Sequence, residues 1–232
     1  MKILAYISLV LMISLGSIFN CNAKNSKNSK FYELQEFTSL CIQNNLDVEL
    51  VKSDFYGVEQ MNNLSEAIVK LEVKESKLRV FVDTDKMLNK RIKVKVYLPT
   101  IFSLNIDDGA EVHSKDTFVF GHVVICLSNA SKVKMHIQAK KMEAYISNSS
   151  YLSLKGSCDK QLIYSENSSK YQASNFKSNH TEIHASNSTK ANIFSEKTII
   201  GDISTRSNVN VKGTPVVAKV EQVSHGQLFI RN

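Results

Sequence analysis

The sequence predicts an all-β fold, a parallel β-helix-like solenoid with coils of about 19–20 residues. Three observations support this prediction. A short polar turn motif recurs seven times in the second half of the chain at a nearly constant interval. Apolar and polar residues alternate after each turn with a period of two, which is typical of half-buried strands. The 232 residues include only 8 Gly and 2 Pro, so Asn, Asp and Ser must build the turns.

Each copy of the motif begins with a polar turn and ends in an apolar or aromatic residue. The seven copies are Asp108–Val112, Asn129–Val133, Asn148–Leu152, Asn167–Tyr171, Asn187–Ala191, Thr205–Val209 and Ser224–Leu228. Their last residues are 21, 19, 19, 20, 18 and 19 positions apart. Self-similarity at this period indicates stacked repeats rather than the core of a globular enzyme.

Two apolar clusters per repeat are expected to face the interior. The first cluster is the last residue of the motif and the residue two positions later, as in Val133 and Met135. The second precedes the next turn, and the pattern gives its members as Met142/Ala144/Ile146, Leu162/Tyr164, Ile183/Ala185, Ile200/Ile203 and Val217/Val220. An antiparallel sandwich or barrel is the alternative. A meander should show two alternating turn signatures, whereas this chain repeats one, which favours the solenoid.

The first residues of the turns are expected to stack at one corner of the solenoid. They are Asp108, Asn129, Asn148, Asn167 and Asn187. Asn is expected there because the corner needs left-handed backbone, which Asn tolerates. A ladder of side-chain amides is a second reason, and it is compatible with the first.

Residues 34–232 are interpreted as a single domain, with N-terminal strands in 34–105 and repeated coils in 106–232. Strands are predicted over Thr38–Gln43 and Leu46–Val51, which flank Asn44-Asn45, a predicted hairpin turn. A further strand over Ile92–Leu98 is ended by Pro99.

The N-terminus has the pattern of an export signal. Lys2 precedes an apolar run, and Cys21-Asn22-Ala23 offers small residues for cleavage, so residues 1–23 are predicted to be a signal peptide and 24–33 a polar linker. Cys21 is also a candidate for lipidation, although Asn20 departs from the small residue expected before a lipidated Cys. The expected location is the periplasm, outer membrane or cell surface, with membrane contact only if Cys21 is lipidated.

Charge and cysteine content narrow the classes of partner and cofactor. The net charge of the chain is +7, and no basic run is interleaved with aromatic residues, so no nucleic acid partner is expected. Cys41, Cys126 and Cys158 lack C-x-x-C spacing, and at most one pair of them is expected to bridge. The sequence contains no glycine-rich phosphate loop, and no cofactor is predicted.

Four lysines are the candidate binding residues. Lys132, Lys170 and Lys190 occupy the same corner position in three copies, with Lys134 nearby, and they are predicted to form a stripe for an anionic glycan or surface polymer. The alternative is that these lysines only keep the surface soluble.

No catalytic or metal site is predicted. Asp107 and Asp108 are adjacent, so along a strand they would point to opposite faces rather than form a glycosidase pair. His180 and His184 have helical spacing in a segment that is predicted to be turn and strand.

The last coil is expected to associate with a second copy or a partner. Leu228 and Ile230 are predicted to point inward, and Phe229 replaces the polar outward residue of earlier coils. Such an end would leave unpaired backbone groups and apolar surface.

The turns resemble those of the putative auto-transporter adhesin, head GIN domain family. That family repeats a Ser-Gly-Ala-Ser-Lys-Val-like unit, which appears here as Ser128–Val133, Ser147–Leu152, Ser186–Ala191 and Ser204–Val209. Phe37–Leu50 is similar to the family's opening strand pair, and Arg91–Pro99 is similar to the strand that precedes its first coil. The resemblance covers roughly residues 34–230. It implies a right-handed β-helix-like fold, an exported location and no established activity.

Together these features predict a non-enzymatic, exported cell-envelope protein that serves as an adhesin-like binding scaffold for a glycan or protein partner. A structural module that assembles through open coil ends is the alternative. A β-helix enzyme acting on polysaccharides is a third and weaker hypothesis.

Overall fold

The computed structural model describes residues 25–26, 29–61, 69–82 and 91–231. All regular structure in these ranges is β-strand, as predicted. The strands are β1 (Asn25–Ser26), β2 (Ser29–Glu33), β3 (Ser39–Ile42), β4 (Leu46–Lys52), β5 (Gly57–Met61), β6 (Val69–Lys74), β7 (Lys77–Val82), β8 (Ile92–Leu98), β9 (Ser103–Ile106), β10 (Glu111–Leu127), β11 (Lys132–Ile146), β12 (Tyr151–Ser165), β13 (Lys170–Ala185), β14 (Lys190–Phe194), β15 (Thr198–Ile203), β16 (Asn208–Lys212), β17 (Val217–Gln222) and β18 (Gln227–Arg231). In these same ranges, no helix is long and apolar enough to cross a membrane.

The strands stack in parallel, which confirms the predicted solenoid. β11 pairs in parallel with β10 on one side and with β12 on the other. The register places Val133 between Val112 and Leu152, so the ends of successive sequence repeats are neighbours. β10 to β13 run from one corner to the next as single bent strands. In later coils the same path is split into two strands, so β13 pairs with both β14 and β15.

Each corner consists of two residues with left-handed backbone. The corner pairs are Asn44-Asn45, Asp108-Gly109, Asn129-Ala130, Asn148-Ser149, Asn167-Ser168, Asn187-Ser188, Thr205-Arg206 and Ser224-His225. The second residue of each corner except the last donates its backbone N–H to the first residue of the next corner, as Ala130 does to Asn148 at 2.9 Å. The turns are therefore tied to one another by backbone bonds along the solenoid axis, which satisfies groups that a strand end would otherwise leave unpaired.

The corner asparagines also form the predicted amide ladder. The Nδ2 of Asn148 donates to Oδ1 of Asn129 at 3.1 Å, and Asn167 and Asn187 continue the series at 3.2 and 3.0 Å. Asn129 ends it by donating to Oδ1 of Asp107 at 2.8 Å. The left-handed backbone and the amide ladder therefore both account for the presence of Asn at these corners.

The core is a column of aliphatic and aromatic side chains beside a column of small hydroxyl residues. Ser131, Ser150, Ser169, Thr189 and Ser207 follow successive corners and are at most 1% exposed. The Oγ of Ser131 donates to the carbonyl of Ile106 at 3.0 Å, and Ser169 donates likewise to Ile146 at 3.1 Å. A small side chain that satisfies its own hydrogen bonds can be buried where the chain turns sharply.

The prediction that Asn44-Asn45 closes a hairpin is wrong. β3 pairs in parallel with β7 and β9, and β4 pairs in parallel with β8 and β10, so β3 and β4 belong to one coil. The backbone N–H of Asn45 donates to the carbonyl of Asp108 at 2.9 Å, which makes this turn another solenoid corner. The β3–β4 coil lies between the β7–β8 and β9–β10 coils, although β7 and β8 come later in the chain.

The predicted inward residues of β12 are shifted by one position. Gln161, Ile163 and Ser165 are buried, whereas Tyr164 is 41% exposed and Leu162 is only half-buried. Burial of Gln161 is possible because its Nε2 donates to Ser178 Oγ at 2.7 Å and its Oε1 accepts from the Tyr171 hydroxyl at 3.0 Å.

Two later assignments of inward residues are also wrong. In β15 the buried residues are Ile199 and Ile203, so Ile203 is inward as predicted, but Ile200 is 41% exposed. In β17 Val217 is 38% exposed.

Antiparallel strands extend the sheet beyond β7 and β8. β6 pairs with β7, β5 pairs with β8, and β2 pairs with β5. Residues 29–33 of the segment that was predicted to be a polar linker therefore form a paired strand. The predicted signal peptide, residues 1–23 with Cys21, lies outside the described residues.

Candidate ligand-binding faces

The strand segments that directly follow the corners form one outward side, here called the basic face. It comprises residues 132–136, 151–155, 170–174, 190–194, 208–212 and 227–231. These segments contain six lysines and Arg231 and no Asp or Glu. The predicted stripe is part of this face: Lys132, Tyr151, Lys170 and Lys190 are consecutive register partners. Tyr151 interrupts the lysines, and Lys134 lies one outward position further along β11.

Like charges on this face lie close together. Lys170 and Lys190 are direct cross-strand partners, about 4.8 Å apart along the axis. Such a pair creates positive potential, which an anionic polymer would neutralise. The outward side chains beside them are amides: Asn192 Nδ2 donates to Gln172 Oε1 at 2.8 Å, and Asn210 Nδ2 donates to Asn192 Oδ1 at 3.1 Å.

Glu111 marks the boundary of the basic face toward the N-terminal coils. Its Oε1 lies 3.4 Å from Lys132 Nζ and 2.6 Å from Arg91 Nη1. Burial raises the pKa of Glu111, but the hydrogen bonds and charges of Arg91 and Lys132 outweigh it, so the pKa is lowered. Lys132 is therefore partly neutralised.

The opposite side of the coils, before each corner, carries a column of stacked rings. Tyr145 and Tyr164 are parallel with centroids 5.3 Å apart, and Tyr164 and His184 stack at 4.6 Å. His184 bonds to Asp202 through Nδ1 and to Glu182 through Nε2 at 3.2 Å. Burial lowers the pKa of His184, but the hydrogen bonds that the ring makes to both carboxylates, together with their negative charge, outweigh burial and raise the pKa. This column was not predicted, because Tyr164, its central ring, was assigned to the interior.

A groove of about 630 Å³ runs along the third side, where β10 to β13 bend between these two faces. Each of these strands contributes a residue to the first rim, one to the floor and one to the second rim. The contributing segments are Val119–Gly121, Gln138–Lys140, Ser157–Asp159 and Lys177–Asn179. Phe194 and Glu196 line the end nearest β14. The groove was not predicted, because no sequence motif repeats at these positions.

The acidic and cysteine residues that were considered for chemistry have structural surroundings. Asp107 Oδ1 accepts from Ser128 Oγ at 2.7 Å and from Asn129 Nδ2, which ties this carboxylate to the corner. Burial, together with the negative charge of Asp159, raises the pKa of Cys158 to about 12, so its thiol is protonated at neutral pH.

Cysteine pairing and metal binding find no support among the described residues. Asn105 separates Cys41 and Cys126 in the register, which places the two thiols two strands apart, beyond disulfide reach. The part of the chain that the structure describes contains no group of three or more His, Cys, Asp or Glu residues arranged to hold a metal ion.

Residues 36–215 match the family described as "putative auto-transporter adhesin, head GIN domain". The comparison with curated proteins gave no match. Similar solved structures include a protein described as a putative adhesin from Bacteroides fragilis, with a TM-score of 0.79 and 16% identity over 89% of this chain and 98% of that one.

Two further similar structures come from Parabacteroides. A protein from Parabacteroides merdae, also described as a putative adhesin, has a TM-score of 0.69 and 12% identity over 88% of this chain and 95% of that one. A protein from Parabacteroides distasonis, described as a putative lipid binding protein, has a TM-score of 0.63 and 14% identity over 89% of this chain and 98% of that one. At these identities the likeness concerns the fold.

Proposed function

Because the chain belongs to the putative auto-transporter adhesin, head GIN domain family, we propose that it is a non-enzymatic, exported envelope protein that binds an anionic surface polymer through the basic face. The observation that carries this proposal is the segregation of charge. Seven cations and no carboxylate occur in the segments of the basic face. The opposite side mixes both signs, with ion pairs such as Lys141 to Glu143 at 2.7 Å.

The regular spacing of the coils supports a repetitive ligand. Backbone and amide ladders hold successive coils in fixed register, so Lys170 and Lys190 are presented at a constant interval. A polymer with regularly spaced carboxylates or sulfates would meet several cations at once, and several weak contacts on one chain add up to avidity. A pre-ordered surface also loses little conformational entropy on binding.

The non-enzymatic part of the proposal rests on where the candidate groups lie. Asp107 is held by Ser128 and Asn129 in a structural turn. His184 is bonded through both ring nitrogens to carboxylates, which leaves no free nitrogen for a substrate. The Cys158 thiol is protonated and 7% exposed.

Export is part of the same proposal and rests on Lys2, the apolar run after it and Cys21-Asn22-Ala23. Mass analysis of the protein from its native cell is expected to show that residues 1–20 or 1–23 are missing. A mature start at Cys21 with an added acyl mass would identify a lipoprotein. An intact Met1 would contradict export by cleavage.

The proposed ligand is tested by heparin affinity with a charge-reversal variant. The double substitution Lys170→Glu and Lys190→Glu is expected to weaken heparin binding at least about tenfold. Lys160→Glu, an exposed lysine on the opposite side, is the matched control and should have little effect. Equal losses in both variants would show that the basic face is not the site. Vesicles with anionic lipid form a second arm, because the Parabacteroides distasonis protein is described as lipid binding.

Assembly through the C-terminal coil is the second candidate function. Five of the exposed large apolar residues lie in this region, namely Val216, Val217, Val223, Phe229 and Ile230. In the described residues β17 pairs only with β15 and β18 only with β16. At the other end, antiparallel β5 and β6 cover β8 and β7. We therefore propose that a second copy docks on the C-terminal coil.

A further inference from the structure

The groove on the third side differs from the basic face in its charge. Its lining includes Lys140 and Lys177 but also Asp159 and Glu196, so the charges balance. Asp159 Oδ1 accepts from Asn179 Nδ2 at 2.9 Å, which fixes both side chains on the second rim. A polyanion would gain little from this lining, so the groove is a separate site.

The floor and rims are built in register across four coils. Val119, Gln138, Ser157 and Lys177 are consecutive register partners and form the first rim. The floor residues Phe120, Ala139, Cys158 and Ser178 follow them one position later and point inward. Each coil therefore offers one rim side chain on either side of a narrow floor, at intervals of about 4.8 Å.

The geometry disfavours a peptide strand or an acyl chain as the occupant. β11 and β12 are paired along both edges, so an extended peptide finds no free backbone groups to bind. An acyl chain in the groove would strip water from four charged side chains without replacing their hydrogen bonds.

We propose that the groove binds a linear, uncharged oligosaccharide that lies parallel to the solenoid axis, with about one sugar ring per coil. Sugar hydroxyls both donate and accept hydrogen bonds. The groove offers donors at Lys140, Lys177 and Asn179 and acceptors at Asp159 and Glu196. Its volume of about 630 Å³ is of the size that holds a small oligosaccharide.

Gly121 provides a variant that blocks the groove without disturbing the fold. It is exposed, and a Cβ added there would meet no atom within 4 Å. Gly121→Trp should therefore fold and fill the groove at its β10 end. Asp159→Ala is the second variant, because it removes an exposed acceptor from the second rim.

The probes are cellotriose, laminaritriose, maltotriose and chitotriose, titrated into ¹⁵N-labelled protein. At least one is expected to bind with a roughly millimolar or tighter Kd and to shift amide signals of residues 119–121, 138–140, 157–159 and 177–179. Gly121→Trp and Asp159→Ala should each weaken binding at least about tenfold at unchanged Tm. The Lys170→Glu, Lys190→Glu variant should bind as the parent does.

Three results would overturn the proposal. These are no binding of any of the four sugars, shifts that map to another side of the solenoid, or undiminished affinity in a folded Gly121→Trp protein. Because heparin binding is measured separately, failure here leaves the assignment of the basic face standing.

Discussion

Asn148 and Asn129 are joined by a side-chain hydrogen bond of 3.1 Å between neighbouring coils, and both residues have a φ of 53°. One residue type thus satisfies two requirements, because Asn tolerates left-handed backbone and its amide can donate to one neighbour while accepting from the other. The next residue, Ser149, also has positive φ, at 62°, and it contributes to the ladder only through its backbone N–H. The two requirements can therefore be separated by mutation.

Asn148→Gly is expected to destabilise the protein by about 1 kcal/mol, because it keeps the left-handed backbone and loses hydrogen bonds to Asn129 and Asn167. Asn148→Val should cost about 2–4 kcal/mol, since a β-branched residue adds left-handed strain to the same loss. Urea unfolding of both variants measures the difference.

Ser149→Gly is the matched control at the adjacent position. It removes a strained left-handed side chain and keeps the backbone bond to Asn167, so its effect should lie between neutral and about 1 kcal/mol stabilising. If Asn148→Gly behaved as Ser149→Gly does, the amide ladder would add nothing to stability.

The sequence was sufficient to predict the corners and the parallel stacking, because each corner depends on local chemistry that repeats. Asn129 and Asn148 are needed wherever the chain turns in left-handed geometry, whatever the rest of the coil does. The pairing of β3 and β4 was mispredicted because the turn Asn44-Asn45 suits a hairpin and a solenoid corner equally well. The choice between them depends on contacts with β7 and β9, which lie far away in the chain.

A buried polar group explains the error in β12. The inward assignment of Leu162 and Tyr164 left Gln161 outward, but Ser178 and Tyr171 provide its hydrogen bonds inside the core. These partners come from another coil, so no local pattern could identify them. The groove was not predicted for a related reason. Each of its rims is made of one residue from each of several neighbouring strands, so no motif within a single strand marks it.

A pair of glycines tests the packing of the coils. Gly156 has a φ of 115°, and a Cβ there would lie 2.0 Å from the carbonyl oxygen of Ile137. Gly156→Ala is therefore expected to destabilise by more than about 2 kcal/mol. Gly121→Ala, at an open exposed position, should change stability by less than about 0.5 kcal/mol. Similar Tm values for the two variants would contradict the close approach of the coils at Gly156.

His184 is expected to make stability depend on pH. Its folded-state pKa is raised above the unfolded value, so its contribution is fully present below the unfolded pKa of about 6.5 and is lost as pH rises through the folded pKa. The Tm advantage of the parent over His184→Gln should therefore shrink as the pH is raised from well below to well above about 6.5. The His184→Gln substitution also removes the ring stack on Tyr164, but this loss is present at every pH and so does not affect how the Tm difference changes with pH. A constant difference across the range would show that the contacts with Asp202 and Glu182 do not favour the protonated ring.

Self-association through the C-terminal coil is tested at Phe229. This residue is 43% exposed and is the cross-strand partner of Asn210, so an apolar ring occupies a position that is polar in the preceding coil. Ile230 pairs with Val211, yet Ile230 is 43% exposed while Val211 is buried, so the core is uncovered at this coil. Because β5 and β6 cover the other end, stacking through the C-terminal coil should be symmetric and stop at a dimer.

Light scattering of residues 24–232 should show a concentration-dependent dimer that Phe229→Lys converts to monomer. Val119→Lys, which replaces an apolar residue that is 59% exposed in the groove, is the control and should leave the dimer intact. A parent protein that stays monomeric at all concentrations, or equal dissociation by both variants, would contradict docking at this coil.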